Sequence, residues 1–394
     1  MSPAKRVAVV IRTRFEENQA ILRGIAQFEQ RRGPWLAFVD DQAVSVQEPD
    51  WLFRQEWDGV ICGPTSAAIA QQCRRRRIPL VDLRDNPEVF PGVPKVRPDN
   101  VAIGHVGAEH LLEKGYAHFG FCGFANTSWS QERRAGFVEA VQLGGQQCDV
   151  LETDYPGKQA PDWNSAQEAV IVDWLRRLPR PVAVMACNDL RAIQVINACQ
   201  QAGIVVPEEV AVLGANNESS RCELCHPSLS SVAVNATRIG YRAAELLHAA
   251  MKGAVEKEAG ELVEPLKVVA RRSTDVLAIG DPKVARALHY IREHACRGLT
   301  VDEVVREVHV SRSVLERKFR NYLRRSPQAE IRYAQVQRAK ELLAETDASI
   351  AEIAEATSIE YPEYLCVLFK RITGETPRRY REKARSWKQD APPA

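Results

Sequence analysis

Short continuous apolar runs alternate with amphipathic stretches through the first 280 residues, and that alternation stops beyond them. The runs at 6–11, 59–62, 78–83, 118–123, 182–187 and 210–214 are rich in Val and Ile, as expected for parallel strands buried on both faces. Between them, 15–31, 66–77, 101–114, 130–143, 165–177, 189–201 and 236–252 carry apolar residues at a spacing near 3.6, which predicts helices. About six βα units suit two doubly wound lobes better than one, with a cleft where the strand C-terminal ends meet.

Residues 253–280 break the rhythm with Gly253, Gly260, Pro265 and Gly280. Beyond them seven short helical patterns follow one another, near 282–296, 300–308, 311–323, 327–344, 350–356, 361–371 and 377–385. The fold class expected is therefore an α/β two-lobed domain followed by an all-α domain. The boundaries read as 1–272 for the first domain, 273–282 for a linker, 283–386 for the second domain and 387–394 for a disordered tail. The helical part contains a repeat. Ser311-x3-Leu315-x3-Phe319 and Tyr361-x3-Leu365-x3-Phe369 are offset by 50 positions, and each follows a short helix across a tight turn. This is helix-turn-helix geometry written twice. Leu and Phe four apart take the buried face, which leaves Arg312, Ser313, Glu316 and Arg317 on the outer faces.

Charge agrees with that division. Residues 281–394 hold 22 of the chain's 53 Lys+Arg and 17 of its 51 Asp+Glu, leaving 31 and 34 for residues 1–280. The helical part is thus basic and the rest slightly acidic, which points the helical part toward a polyanionic partner. Ten cysteines are scattered without the density of a secreted disulfide scaffold, and most read as small buried hydrophobes. Cys222-Glu-Leu-Cys225-His226 has haem-attachment or metal-ligand spacing, but a second pair of ligands is lacking nearby, so neither a metal nor a cofactor is expected. Neither a membrane-spanning run nor an export signal is evident, and a cytoplasmic protein with no membrane partner is expected. The sequence contains no phosphate loop, no Gly-x-Ser-x-Gly elbow, no dinucleotide fingerprint and no His-Glu-x2-His, which argues against an enzyme.

Residues 283–385 resemble the AraC-type DNA-binding domain. The resemblance is carried by Ser311-Arg312-Ser313-x-Leu315-Glu316-Arg317-x-Phe319, Arg338-Ala339-Lys340-x-Leu342-Leu343, Ile350-Ala351-x-Ile353-Ala354 and Phe369-Lys370-Arg371-x3-Glu375-Thr376-Pro377-x2-Tyr380-Arg381. It implies double-stranded operator DNA as partner. Base-facing positions would fall on Ser313, Glu316 and Arg317 in the first unit and on Pro362, Glu363, Cys366 and Val367 in the second. Lys370, Arg371, Arg378 and Arg379 suit phosphates. The two positions that are glycine in the family are His309 and Ser358 here.

The first 275 residues resemble the sugar-sensing domain of the lactose and galactose repressor family, itself similar to periplasmic sugar-binding proteins. Asp99-Asn100-x3-Gly104-x4-Glu109-His110-Leu111, Arg133-x2-Gly136-Phe137, Asn188-Asp189-x2-Ala192 and Val210-x-Val212-Leu213-Gly214-x-Asn216 occur in the family's order. The resemblance implies that Asp99, Arg133, Asn188 or Asp189, and Asn216 bind ligand hydroxyls, with Phe15, Trp129 or Trp163 as an apolar wall. Asn188 is equally well placed to cap a helix. A sugar sensor placed before an AraC-type domain resembles the xylose operon regulators. That implies a homodimeric transcription regulator controlled by a small-molecule sugar effector, acting on RNA polymerase if it is an activator, which analogy favours over a repressor of another sugar operon. Arg12-Thr13-Arg14-Phe15-Glu16 and Gly63-Pro64-Thr65-Ser66 depart from the group's pattern, which leaves the sugar open between xylose and a related monosaccharide.

Overall fold

A computed structural model describes residues 4–32, 35–155, 163–253, 260–275, 281–323 and 325–382. The chain divides into two compact units, residues 1–278 and 279–394.

The first unit is built on two six-stranded sheets. The chain begins with β1 (Lys5–Val10), α1 (Glu16–Arg32), β2 (Trp35–Asp40), α2 (Pro49–Leu52), β3 (Gly59–Cys62), α3 (Ala67–Arg76), β4 (Leu80–Asp82) and β5 (Lys95–Pro98). It then crosses to the second lobe for α4 (Asn100–Leu112), β6 (His118–Phe124), α5 (Ser128–Leu143), β7 (Cys148–Thr153), α6 (Trp163–Arg177), β8 (Val182–Ala186), α7 (Asp189–Gln201), β9 (Val210–Asn216), α8 (Ser219–Leu224) and β10 (Ser230–Ala233). It returns for α9 (Ala236–Met251) and β11 (Gly260–Val263), and crosses again to β12 (Val268–Val269). The strand orders are β11-β5-β4-β3-β1-β2 and β12-β10-β9-β8-β6-β7, all parallel except the β10–β12 pair. This is the expected two-lobed α/β architecture, with three chain crossings between lobes.

The six apolar runs all become strands, and β3 and β8 are buried along their whole length. The pattern did not reveal the other six strands. β2 and β7 are sheet edges whose side chains are mostly exposed in β2 and half-buried or exposed in β7, so they lack a continuous apolar run. β5 reads Lys-Val-Arg-Pro because it holds a buried and a half-buried cation: Lys95 pairs with Asp82 at 3.4 Å and donates to Asn86 Oδ1 at 2.7 Å, and Arg97 pairs with Glu132 through two hydrogen bonds. β10 begins with two fully buried serines.

Helices α4 and α5 pack through glycine. A Cβ at Gly104 would lie 2.2 Å from the carbonyl oxygen of Arg133, and one at Gly136 would lie 2.1 Å from that of Val101. A larger residue at either position would push α5, and Arg133 with it, away from α4. At the other end of the unit, Ser273 and Thr274 are fully buried: Ser273 Oγ donates to the Val212 carbonyl at 2.6 Å and Thr274 Oγ1 to Ser230 Oγ at 2.8 Å. The chain is therefore anchored to β9 and β10 two residues into the expected linker. Residues 276–280 of that linker, the 387–394 tail and the Trp163 side chain lie outside the described residues.

The second unit consists of α10 (Pro282–His294), α11 (Val301–Val308), α12 (Arg312–Leu323), α13 (Pro327–Glu345), α14 (Ile350–Ala356), α15 (Pro362–Thr373) and a helical turn at 377–382. The repeat is structural. Thr300 with Glu303 and Ser349 with Glu352 form capping boxes at the starts of α11 and α14. The turns that follow place His309 at φ 53° and Ser358 at φ 51°, the left-handed conformation that explains why glycine suits both positions. Leu315 and Phe319, and Leu365 and Phe369, are buried. At 19 residues α13 spans about 28 Å. Its buried Gln335 donates to the carbonyls of Ala295 and Ser358 and so ties the halves of the unit together.

Candidate functional site

The C-terminal ends of the parallel strands in the two lobes meet around Arg133. This side chain is only 2% exposed, and it donates from Nε to Asn100 Oδ1 at 2.8 Å and from a terminal nitrogen to the Cys187 carbonyl, at the end of β8, at 2.7 Å. Its guanidinium lies 5.3 Å from the Trp129 ring, which belongs to an aromatic wall with Phe124 and Tyr155. Three carboxylates, Asp189, Asp85 and Glu17, gather about this cation, and Glu218 lies beside them, paired with Arg221 at 2.8 Å. Asp189, also 2% exposed, accepts from Ser231 Oγ at 2.5 Å and from the Glu218 backbone N–H at 2.8 Å. Asp85 accepts from Asn100 Nδ2 at 2.7 Å.

Glu17, in the first turn of α1, faces this cluster from the other lobe. Enclosure pushes its carboxyl up to about 7, with the Asp85 charge adding to the rise, Arg133 opposing it, and Glu218 and Asp189 contributing further. Burial likewise pushes Asp189 to about 7, against the hydrogen bonds from Ser231 and Glu218, and it raises Asp85 and Glu218. Glu16 behaves oppositely. Burial raises it, but hydrogen bonds from the hydroxyls and backbone N–H groups of Ser220 and Ser219 outweigh burial and bring it down to about 2. Those bonds run from α1 in the first lobe to α8 in the second, so Glu16 clasps the lobes together.

These carboxylates impose opposite pH slopes. An acid raised in the folded state keeps its proton while the unfolded chain loses it, so the unit loses stability as pH climbs to about 7, from 4.5 upward for Glu17 and from 3.8 upward for Asp189. The Glu16 clasp adds stability above about 4.5 that is lost as pH falls toward 2. We expect Glu17→Gln to flatten the decline between pH 5 and pH 8 in denaturant unfolding. An unchanged slope would remove Glu17 from the cluster.

The structure places the expected ligand residues unevenly. Asp99 caps α4, accepting from the Ala102 N–H at 2.9 Å, and Asn188 caps α7, accepting from the Arg191 N–H at 2.9 Å. Arg133 and Asp189 are at the centre. Asn216 ends β9 in a positive-φ conformation, and its Oδ1 is buried without a hydrogen-bond partner among the described residues. Sequence reading missed Glu17, Asp85 and Glu218. The departure from the family pattern just before Glu17 was the available signal. Cys222 is fully buried on α8 with its thiol pushed up by desolvation, and burial raises Cys225 to about 11, so neither offers a thiolate.

In the second unit, Arg312 is drawn into ion pairs with Asp302 at 3.1 Å and Glu316 at 3.4 Å. Arg317 stands exposed one turn on, with no ion-pair partner among the described residues, and Ser313 Oγ lies 3.2 Å from Ser311 Oγ. On α15, Glu363, Val367 and Lys370 are exposed, Pro362 and Cys366 half-buried, and Arg371 exposed. Arg378 and Arg379 pair with Glu382 and Glu375. No described helix is long and apolar enough to cross a membrane.

Comparison with known proteins agrees with both units. Residues 108–274 match the periplasmic binding protein-like domain family, and residues 304–383 match a helix-turn-helix domain family. The chain is 32% identical over 385 residues to the xylose operon regulatory protein of Haemophilus influenzae, covering 95% of this chain and 98% of that one. It is 32% identical over 390 residues to the xylose operon regulatory protein of Escherichia coli K12, covering 96% and 97%. The structure of the xylose-binding transcription activator xylR matches with a TM-score of 0.82 and 30% identity, covering 97% of this chain and 98% of that one.

Proposed function

The chain belongs to the family of the xylose operon regulatory proteins, and from that premise we propose that it is a cytoplasmic, homodimeric transcription activator whose effector is D-xylose or a related monosaccharide. It is a sugar-sensing regulator with an AraC-type DNA-binding domain. It acts by binding rather than by catalysis, with operator DNA, the sugar and RNA polymerase as partners. The observation that carries the reading is the group at the junction of the lobes: a buried guanidinium, carboxylates of both protonation tendencies and the buried oxygen of Asn216, which has no hydrogen-bond partner among the described residues. A polyol needs donors and acceptors in such a mixture. Arg133, Asp189 and Asn216 are assigned to the ligand hydroxyls, with Trp129 as the apolar wall. Asp99 and Asn188 are assigned a supporting role through their caps.

The signal has a physical route. Asn216 and Glu218 sit at and just beyond the end of β9, and the chain leaves the sensor where Ser273 is bonded to that same strand. Lobe closure on a sugar moves this anchor and, through the linker, the DNA-binding unit. Sugar and operator affinities are then coupled reciprocally, by about 1 to 3 kcal/mol. The test is operator affinity by fluorescence anisotropy with and without a panel of pentoses and hexoses. A sugar should change the affinity at least fivefold, and Glu16→Ala, which removes all four hydrogen bonds of the clasp, should weaken the sugar's apparent affinity about tenfold or more. An operator affinity indifferent to every sugar overturns the reading.

A further inference from the structure

The two recognition helices are the same device carrying different chemistry. With an offset of 50, Ser313 corresponds to Glu363, Glu316 to Cys366, Arg317 to Val367 and Arg320 to Lys370. The buried residues confirm the register, because Leu315 and Phe319 on α12 and Leu365 and Phe369 on α15 point into their cores. The opposite face of each helix therefore presents the corresponding set. Where α12 offers an exposed arginine, α15 offers Val367, which is 64% exposed, flanked by the half-buried Cys366. One turn further on both helices return to an exposed cation, Arg320 and Lys370. The apolar character is thus confined to the middle of the face.

Base edges in the major groove offer one apolar group, the C5-methyl of thymine. A guanine presents only acceptors there, and an apolar side chain against it would leave O6 and N7 without a partner. Resting on the DNA-binding reading above, we infer that Val367, with Cys366 beside it, recognises a thymine methyl. The operator then consists of two unequal half-sites: guanine lies under Arg317 in one, and an A·T pair lies at the matching position under Val367 in the other. Glu363, at the start of the same face, accepts from a neighbouring base amine.

The test begins with selection of operators from random duplexes by the full chain. Each thymine of the second half-site is then replaced by deoxyuridine, which removes the methyl and leaves every hydrogen-bonding group. One replacement should weaken binding about fourfold, the value of one buried methyl. Val367→Ala should bind the two duplexes alike, and Val367→Arg should shift selection at that position from thymine to guanine. The exposure of Val367 lets both variants fold, which circular dichroism would check. Wild-type binding that ignores every methyl, or a Val367→Ala variant that keeps the fourfold difference, overturns the inference. Selection of no sequence at all overturns the regulator reading beneath it.

Discussion

Arg133→Ala is expected to abolish the sugar response and to destabilise the sensor unit together. Its guanidinium bridges Asn100 on α4 to the end of β8 and offsets the charge of Glu17, Asp85 and Asp189. Removing one side of a buried charged network costs about 3 kcal/mol or more, because the groups left behind lose their compensation. For a unit of 278 residues that corresponds to a fall of about 5 °C or more in Tm. The loss should depend on pH in a definite sense. Without Arg133 the carboxyls rise further, so the variant should recover much of its stability near pH 5, where they carry protons, and show the largest deficit near pH 8. Thermal unfolding at both pH values measures it. A deficit equal at the two would assign Arg133 to packing alone. Asp189→Asn, nearly isosteric, separates the roles: it should cost less stability yet lose the sugar response, while operator affinity without sugar stays at the wild-type value.

How far the sequence foretold this depends on what each residue's neighbours contribute. Strands buried on both faces announce themselves as apolar runs, and helices on one face announce themselves by period, so the two lobes and the helical domain were legible. Edge strands such as β2 and strands that hold compensated charge such as β5 were not, because their character is set by partners on other elements: Lys95 by Asp82 on β4, Arg97 by Glu132 on α5. The site divides in the same way. Arg133 and Asp189 stand in patterns shared with a known fold. Glu17 has no local signature, and only its enclosure with Asp85, Glu218 and Asp189 from other elements gives it a role. Family positions can also carry a local structural task. Asp99 and Asn188 stand where ligand residues were expected, and each gives a side-chain oxygen to a helix N-terminus.

The same distinction governs the DNA-binding unit, where exposure and pairing rank residues that sequence position treats alike. Arg312 and Arg317 both stand exposed on the outer faces of α12, but Arg312 is paired with Asp302 and Glu316, whereas Arg317 has no ion-pair partner among the described residues. Arg317→Ala is therefore expected to cost about 1 to 3 kcal/mol of specific operator binding and to relax the preference for guanine at one position. Binding to random duplex should be unchanged. Lys is no substitute, because a point charge lacks the fork that spans O6 and N7, so Arg317→Lys should lose nearly as much specificity. Lys370→Ala should behave differently, weakening specific and random DNA alike and reducing the salt slope by about one, the signature of a lost phosphate contact. Titrations of the full chain against its operator and a scrambled duplex, at several salt concentrations, separate these outcomes. Parallel losses on both duplexes for Arg317→Ala would move that side chain from the bases to the backbone. Half-site preference in the first unit would then have to rest on Ser313 and on a Glu316 already engaged by Arg312.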